Sequence, residues 1–466
     1  MKTRKVRRVT ARYQWDQLKV SFWFAPVVMS VAAILLAWLM YWVDGQIPNE
    51  TLQNSHFIFS GTPGEMRVAL IGMATTILAT AGVVFTLLTL PLSTVAAQYG
   101  SRLLRVFLGD RTTQLVLGTF VATFVYCLAA ALSIPPVQVE PDGPQVTTTV
   151  GLLLMLASFA SLILLVQHIS TMLQAPNIAA AAGAELRDVI LAEIPEQVKS
   201  GVDSKDESKF LPESLVEKDG YPIRVRQAGY IQYIDPHIIL TLAQEHDLVI
   251  RLLHKPGHNV GREARVALVW PAHRVDEELD HQIRDAFRVG NGRTPTQDVT
   301  YAVNQLVEMA VRAMSPAIND PFTAMTCLDH IGEGLTLFIQ QGEKSPYYYD
   351  GDNRLRLILE PVTFTELLSD AFDMLRHASC DNASVLLHML DVIDAISQQA
   401  NSTEARLELL RHVNLIQKER KAGAIIDSDR ERISQRCTEL TDQLRSNVSL
   451  LFCKENPSDA KVLTGL

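Results

Sequence analysis

Few residues in this chain have the types and spacing to do chemistry together. Ser315, Asn319, Asp320 and Thr323 fall in "VRAMSPAINDPFTAMTCLDH" (311–330), where one helical pattern stops at Ser315-Pro316 and another starts after Asn319-Asp320-Pro321. Proline at 316 disfavours helical geometry at Ser315. Asp320 followed by Pro321 reads as an N-cap with proline at the first helical position, and Asn319 can bond its own backbone in an Asx-turn. A tight corner between two helices accounts for most of the pattern. The same four side chains would also converge at a helix N-terminus, where backbone amides favour an anion. Asp320 could instead help hold a cation.

The second constellation is a stripe in "VALIGMATTILATAGVVFTLLTLPLSTVAAQYG" (68–100). Gly72, Thr76, Thr80, Thr86 and Ser93 recur at helical spacing along an otherwise apolar run. Small and hydroxyl residues let helices approach closely in a bilayer, and the same stripe could line a narrow wet pore. Gly118, Ala122, Ala129 and Ser133 form a similar seam in the next apolar run, which supports the packing alternative.

Other chemistry finds little support. There is no Gly-rich phosphate loop, paired-histidine motif or serine elbow, so an enzyme is not expected, nor a cofactor or a metal. The five cysteines are far apart, without zinc or redox spacing. Asp329-His330 is an adjacent acid–imidazole pair, but neighbours on a helix diverge. A net charge of −9 gives no broad footprint for nucleic acid.

The elements that must position these groups begin in the membrane. Residues 22–43, "FWFAPVVMSVAAILLAWLMYWV", carry no charge over 22 positions, enough for a helix to cross about 30 Å of hydrocarbon. Three more runs follow, from Val68 to about Leu92, Leu115 to Ile134, and about Thr147 to Val166. Pro91 should kink the second near its end. None of the four contains Asp, Glu, Lys or Arg, which argues against a coupled pump. The basic head "MKTRKVRRVTAR" and Arg102, Arg105 and Arg111 between spans two and three place both termini in the cytoplasm. "SRLLRVFLGDR" (101–111) reads as a short interfacial helix, and His168 as an interfacial residue.

The fold class expected is mainly α: four transmembrane helices followed by a cytoplasmic α+β unit and a helical bundle. Residues 1–21 form the basic cytoplasmic head, and 22–173 the four-span domain. Residues 174–220 would be a helical extension running on from span four, then a flexible linker, "KSGVDSKDESKFLPESLVEKDG". Residues 221–290 form a small α/β unit. In it "PIRVRQAGYIQYID" alternates like a hairpin around Ala228-Gly229, and "LVIRLLH" and "ARVALVW" flank "KPGHNVGRE", a pattern like that of a barrel-sandwich hybrid. Residues 291–466 form the helical domain, opening at "TPTQDVTYAVNQLVEMAVRAM" with Thr294 as N-cap and Gln297 closing a capping box.

"RTPTQDVTYAVNQLVEMAVRAMSPAINDPFTAMTCLDHI" and "QYGSRLLRVFLGDRTTQLVLGTFVATFVYCL" together resemble the bacterial predicted-membrane-protein family catalogued as domain of unknown function 2254. The resemblance spans nearly the whole chain, although Ala317 stands where that family more often has glycine. It implies a multi-pass inner-membrane protein with a cytosolic C-terminal region, and it implies no activity.

Two functions from different classes therefore stand side by side. One is a homo-oligomeric passive channel for ions or small solutes, with span two lining the pore and the cytoplasmic region regulating it. The other is a membrane-anchored sensor or scaffold whose cytoplasmic domain binds an anion, nucleotide or protein partner. The partners expected are the lipid bilayer and further copies of the chain, not nucleic acid.

Overall fold

A computed structural model describes residues 23–46, 61–98, 110–134, 144–191, 199–200, 219–342, 344–419 and 425–455. The basic head, the 101–109 segment and most of the 199–220 linker lie outside the described residues. Contacts divide the chain into two compact units, Met1–Ile178 and Ala179–Leu466.

The first unit contains α1 (Phe24–Asp44), α2 (Pro63–Gln98), α3 (Arg111–Ser133) and α4 (Gln145–Met172). All four are long and apolar enough to cross a membrane, as the sequence indicates. Helix α3 packs against each of the other three. Gly118 permits its close approach to α1, since a Cβ there would sit 2.5 Å from the Met29 sulfur. The Thr123 and Ser158 hydroxyls, 2.9 Å apart, join α3 to α4 where no water can serve them. The buried face of α2 is formed by Met66, Leu70, Ala74, Ile77 and Val84.

Two aspartates at the helix ends tie this bundle together. Asp44, the last residue of α1, accepts from the Val146 and Thr147 amides at 2.8 Å and so caps α4. Asp110 caps α3 through the Thr113 amide at 2.7 Å and also meets His168 Nε2 at 2.9 Å. Span four does not continue into the extension as one helix. It ends at Met172, and α5 (Ala175–Leu191) starts afresh with Pro176 in its first turn, where a missing amide hydrogen costs least.

The second unit is built on two sheets. Its strands are β1 (Lys199–Ser200), β2 (Tyr221–Arg224), β3 (Gly229–Ile234), β4 (Val249–Leu252), β5 (Asn259–Val260), β6 (Arg265–Trp270), β7 (Phe287–Gly290), β8 (Tyr347–Tyr349) and β9 (Leu355–Ile358). The larger sheet runs β1-β8-β9-β4-β6-β2 and the smaller β5-β3-β7. The hairpin expected around Ala228-Gly229 does not form, because β2 and β3 belong to different sheets. Gly229, at φ 150°, makes the division. A side chain there would strike the Gly290 carbonyl, so only glycine lets β3 run so close to β7. The strands expected within 221–290 are completed from outside that range: β1 comes from the stretch read as linker, and β8 and β9 from beyond residue 340. Among the described residues, only β4 and β9 pair in parallel. Helices α6 (Pro236–Glu245) and α7 (Glu277–Asp285) cover the sheets, and Asp235 caps α6 beside Pro236 as expected.

The remaining helices are α8 (Val299–Ala313), α9 (Pro321–Gln341), α10 (Phe364–Ala378), α11 (Ala383–Gln399), α12 (Thr403–Glu419) and α13 (Asp427–Glu455). The start of α8 corrects the sequence reading. Its N-cap is Asp298, bonded to the Tyr301 amide at 2.9 Å, and not Thr294. Gln297 closes no capping box. Its amide instead spans the backbone of Ile234, accepting from N and donating to O at 2.9 Å each. Asp298 prevails because Arg293 and Thr300 hold its carboxylate at 2.8 to 2.9 Å as well. Helix α5 packs tightly on α9: a Cβ on Gly334 would lie 2.5 Å from Leu186, and one on Gly183 2.8 Å from the His330 ring.

Candidate functional site

The 315–323 corner is built as its sequence dictates. Helix α8 ends at Ala313, and the Asp320 amide returns to the Ala313 carbonyl at 2.8 Å. The Ile318 and Asn319 amides both donate to the Ser315 carbonyl, at 3.0 and 2.9 Å. Asn319 takes φ 48°, the left-handed region that asparagine tolerates better than most residues. Asp320 then caps α9. Its Oδ1 accepts the Thr323 amide at 3.1 Å and its Oδ2 the Thr323 hydroxyl at 2.5 Å. Both carboxylate oxygens thus serve the turn. Ile318 and Phe322 stand out from it at 46% and 76% exposure, an apolar pair that capping logic does not anticipate.

The α2 stripe faces the other way from the bundle. Gly72, Thr76, Thr86 and Ser93 are exposed and Thr80 is half-buried. Ile77, which is fully buried, lies five residues from Gly72 and so about 140° round the helix. At Gly72, Thr76, Thr86 and Ser93 the stripe is therefore not where α2 meets the other spans among the described residues, while Thr80, three residues from Ile77, lies at the margin of that contact. Among the described residues, nothing lies within 4 Å of a Cβ built on Gly72 or Gly82. Each threonine satisfies its hydroxyl locally: Thr76 donates to Gly72 O, Thr80 to Thr76 O and Thr86 to Gly82 O, at 2.9 to 3.0 Å.

A cavity of about 320 Å³ lies in the second unit. The smaller sheet supplies Ile234 and the larger Leu252 and Leu357, the last turn of α5 supplies Val189 and Ile190, and α9 supplies Phe338. Lys255 lines it too, 8% exposed, with Nζ 3.1 Å from each Glu366 oxygen. Glu366 also closes the Thr363 capping box of α10. The neighbouring loop is pinned at Gly257 (φ 90°), where any Cβ would collide with the Asp298 carboxylate. Asp370, close to Arg293 and Glu366, has its carboxyl raised above the ordinary range by burial. No group of three or more metal-ligating side chains occurs among the described residues.

The chain matches the predicted membrane protein family, domain of unknown function 2254, over residues 19–395. It belongs to that family. Curated relatives are uncharacterized proteins of Mycobacterium tuberculosis (strain ATCC 25618 / H37Rv) and Mycobacterium bovis (strain ATCC BAA-935 / AF2122/97). Each is 26% identical over 397 residues, covering 83% of this chain and 74% of the relative. No solved structure matches. Within the family's span lie both the α2 stripe and the corner, but the match assigns a role to neither.

Several functional-looking residues escaped the sequence reading because their surroundings come from distant parts of the chain. Asp329 pairs with His388, at 2.7 Å, and not with its neighbour His330. His412 is fully buried between α10 and α12. Arg411 Nη2 lies 2.9 Å from its Nε2, so this nitrogen accepts and the ring is neutral. Burial lowers its pKa to about 4. Cys327 is no nucleophile at neutral pH, since burial pushes its thiol up to about 12. No spacing rule flags these pairs.

Proposed function

We propose that this membrane protein is a homo-oligomeric passive conduit for ions or small solutes in the inner membrane, with both termini and the second unit cytoplasmic. One observation carries this: the Gly72–Thr76–Thr80–Thr86 stripe points away from its own bundle while the buried side of α2 is wholly apolar. Copies meeting along that stripe would bring small residues together, and their hydroxyls would offer oxygen to a permeant species. The basic residues of the head and of the loop between spans two and three support the orientation. The second unit would then assemble or regulate the conduit.

Conductance of the purified chain in planar bilayers tests this. Currents from the wild type that vanish in the Thr76→Leu, Thr80→Leu double variant are expected. A well-folded oligomer that passes no current overturns the conduit. The alternative, a membrane-anchored sensor or scaffold whose cytoplasmic region binds an anion, nucleotide or protein partner, draws support from the cavity beside Lys255.

A further inference from the structure

We propose that the cavity beside Lys255 is a binding site for a short aliphatic carboxylate, with its hydrocarbon chain inside and its anionic head at the lysines. This goes beyond the conduit and stands whether or not the spans conduct. The interior is apolar, formed by Leu252, Leu357, Ile234 and Phe338 together with Val189 and Ile190. At about 320 Å³ it lies at the small end of sites for small molecules, so a chain of about eight carbons suits it. Of the charged side chains on its lining, Lys255 and Lys344 are cationic and Glu360 alone is anionic. Glu366, outside the lining, offsets Lys255, so the preference for an anionic head rests on the ammonium donor that Glu366 leaves over.

Lys255 is the anchor of the site. Burying an ammonium is costly unless it is paired, and here Glu366 pairs it from outside the cavity lining. The two carboxylate oxygens take up two of its three donors, which leaves one for a ligand head. Its methylene stem adds to the apolar wall. The surroundings are fixed before any ligand arrives. Gln297 clamps the Ile234 backbone, Asp298 and Gly257 hold the loop that follows Lys255, and the Thr363–Glu366 capping box fixes the carboxylate. A preformed site loses little conformational freedom on binding. The cavity also touches the last turn of α5, the helix that follows the fourth span. A ligand there would press on the segment that leads to the membrane.

Titration calorimetry of octanoate into the full chain in lipid nanodiscs, corrected with empty nanodiscs, tests the proposal. Octanol and octyltrimethylammonium serve as the neutral and cationic comparisons. Saturable binding of one octanoate per chain is expected, tighter than either comparison. Lys255→Met should weaken it at least about ten-fold, since a charged hydrogen bond is lost. Leu359→Trp, at the partly buried edge of the lining, should abolish it, with melting of both variants unchanged. Absence of saturable octanoate binding to the wild type overturns the site. Octanol bound as tightly as octanoate overturns the anionic head, and that comparison holds even where a variant fails to fold. Octanoate binding that survives Leu359→Trp unaltered overturns the location. These readouts are independent of the conductance that tests the conduit.

Discussion

Asp44 caps a helix to which it does not belong. Its Oδ2 accepts the Thr147 hydroxyl at 2.6 Å and the Thr147 amide at 2.8 Å, across 103 residues of chain. Near hydrocarbon, the first amides of α4 have few other partners. Asp44→Ala should therefore destabilise the full chain by about 1–2 kcal/mol, and Asp44→Asn by less. Thermal melting in nanodiscs measures this. Equal melting of all three proteins would show that water serves those amides as well.

At the corner, Asp320→Ala should cost about 1 kcal/mol as a lost cap, and Asp320→Asn only a fraction of that. The same melting assay applies, run beside conductance. If conductance is lost from Asp320→Ala while its melting temperature holds, the corner has a role other than holding α9.

Gln297 grips both polar groups of the Ile234 backbone. Removing the amide leaves that donor and acceptor unmatched in a half-buried place, so Gln297→Leu should cost about 1–3 kcal/mol. Hydrogen exchange read by mass spectrometry should show faster exchange at β3. Unchanged protection there contradicts the clamp.

His412 predicts a dependence on acidity. Its folded pKa is about 4 against an ordinary 6.5, so between those values the unfolded chain binds a proton that the folded chain refuses. The contribution is complete above about pH 6.5 and is lost as pH falls towards 4. The loss totals about 3 kcal/mol. Denaturant unfolding at pH 7 and pH 5 should show a fall that His412→Gln reduces. An identical fall in the variant would place the titrating group elsewhere.

The four spans and the Asp235 and Asp320 caps were legible because they obey rules confined to a few neighbouring residues. Thr294 satisfied the same local rule and was misread, because Arg293 and Thr300 favour Asp298 as the cap. The hairpin at Ala228-Gly229 failed for a related reason: alternation marks a strand but does not name its partner. Spacing located the α2 stripe, while its outward direction emerged only from where Leu70 and Ile77 pack. The cavity had no local signature at all, since its walls come from six separate stretches between Val189 and Val362.

The parallel β4–β9 pairing also has a consequence during synthesis. Residues 249–252 meet 355–358, so β4 emerges from the ribosome about 100 residues before its neighbour, several seconds at ordinary elongation rates. For that interval an apolar strand keeps one side bare, the condition under which nascent chains stick to one another. Chains cut short before Leu355 should therefore aggregate or recruit chaperones, however well their membrane helices have inserted.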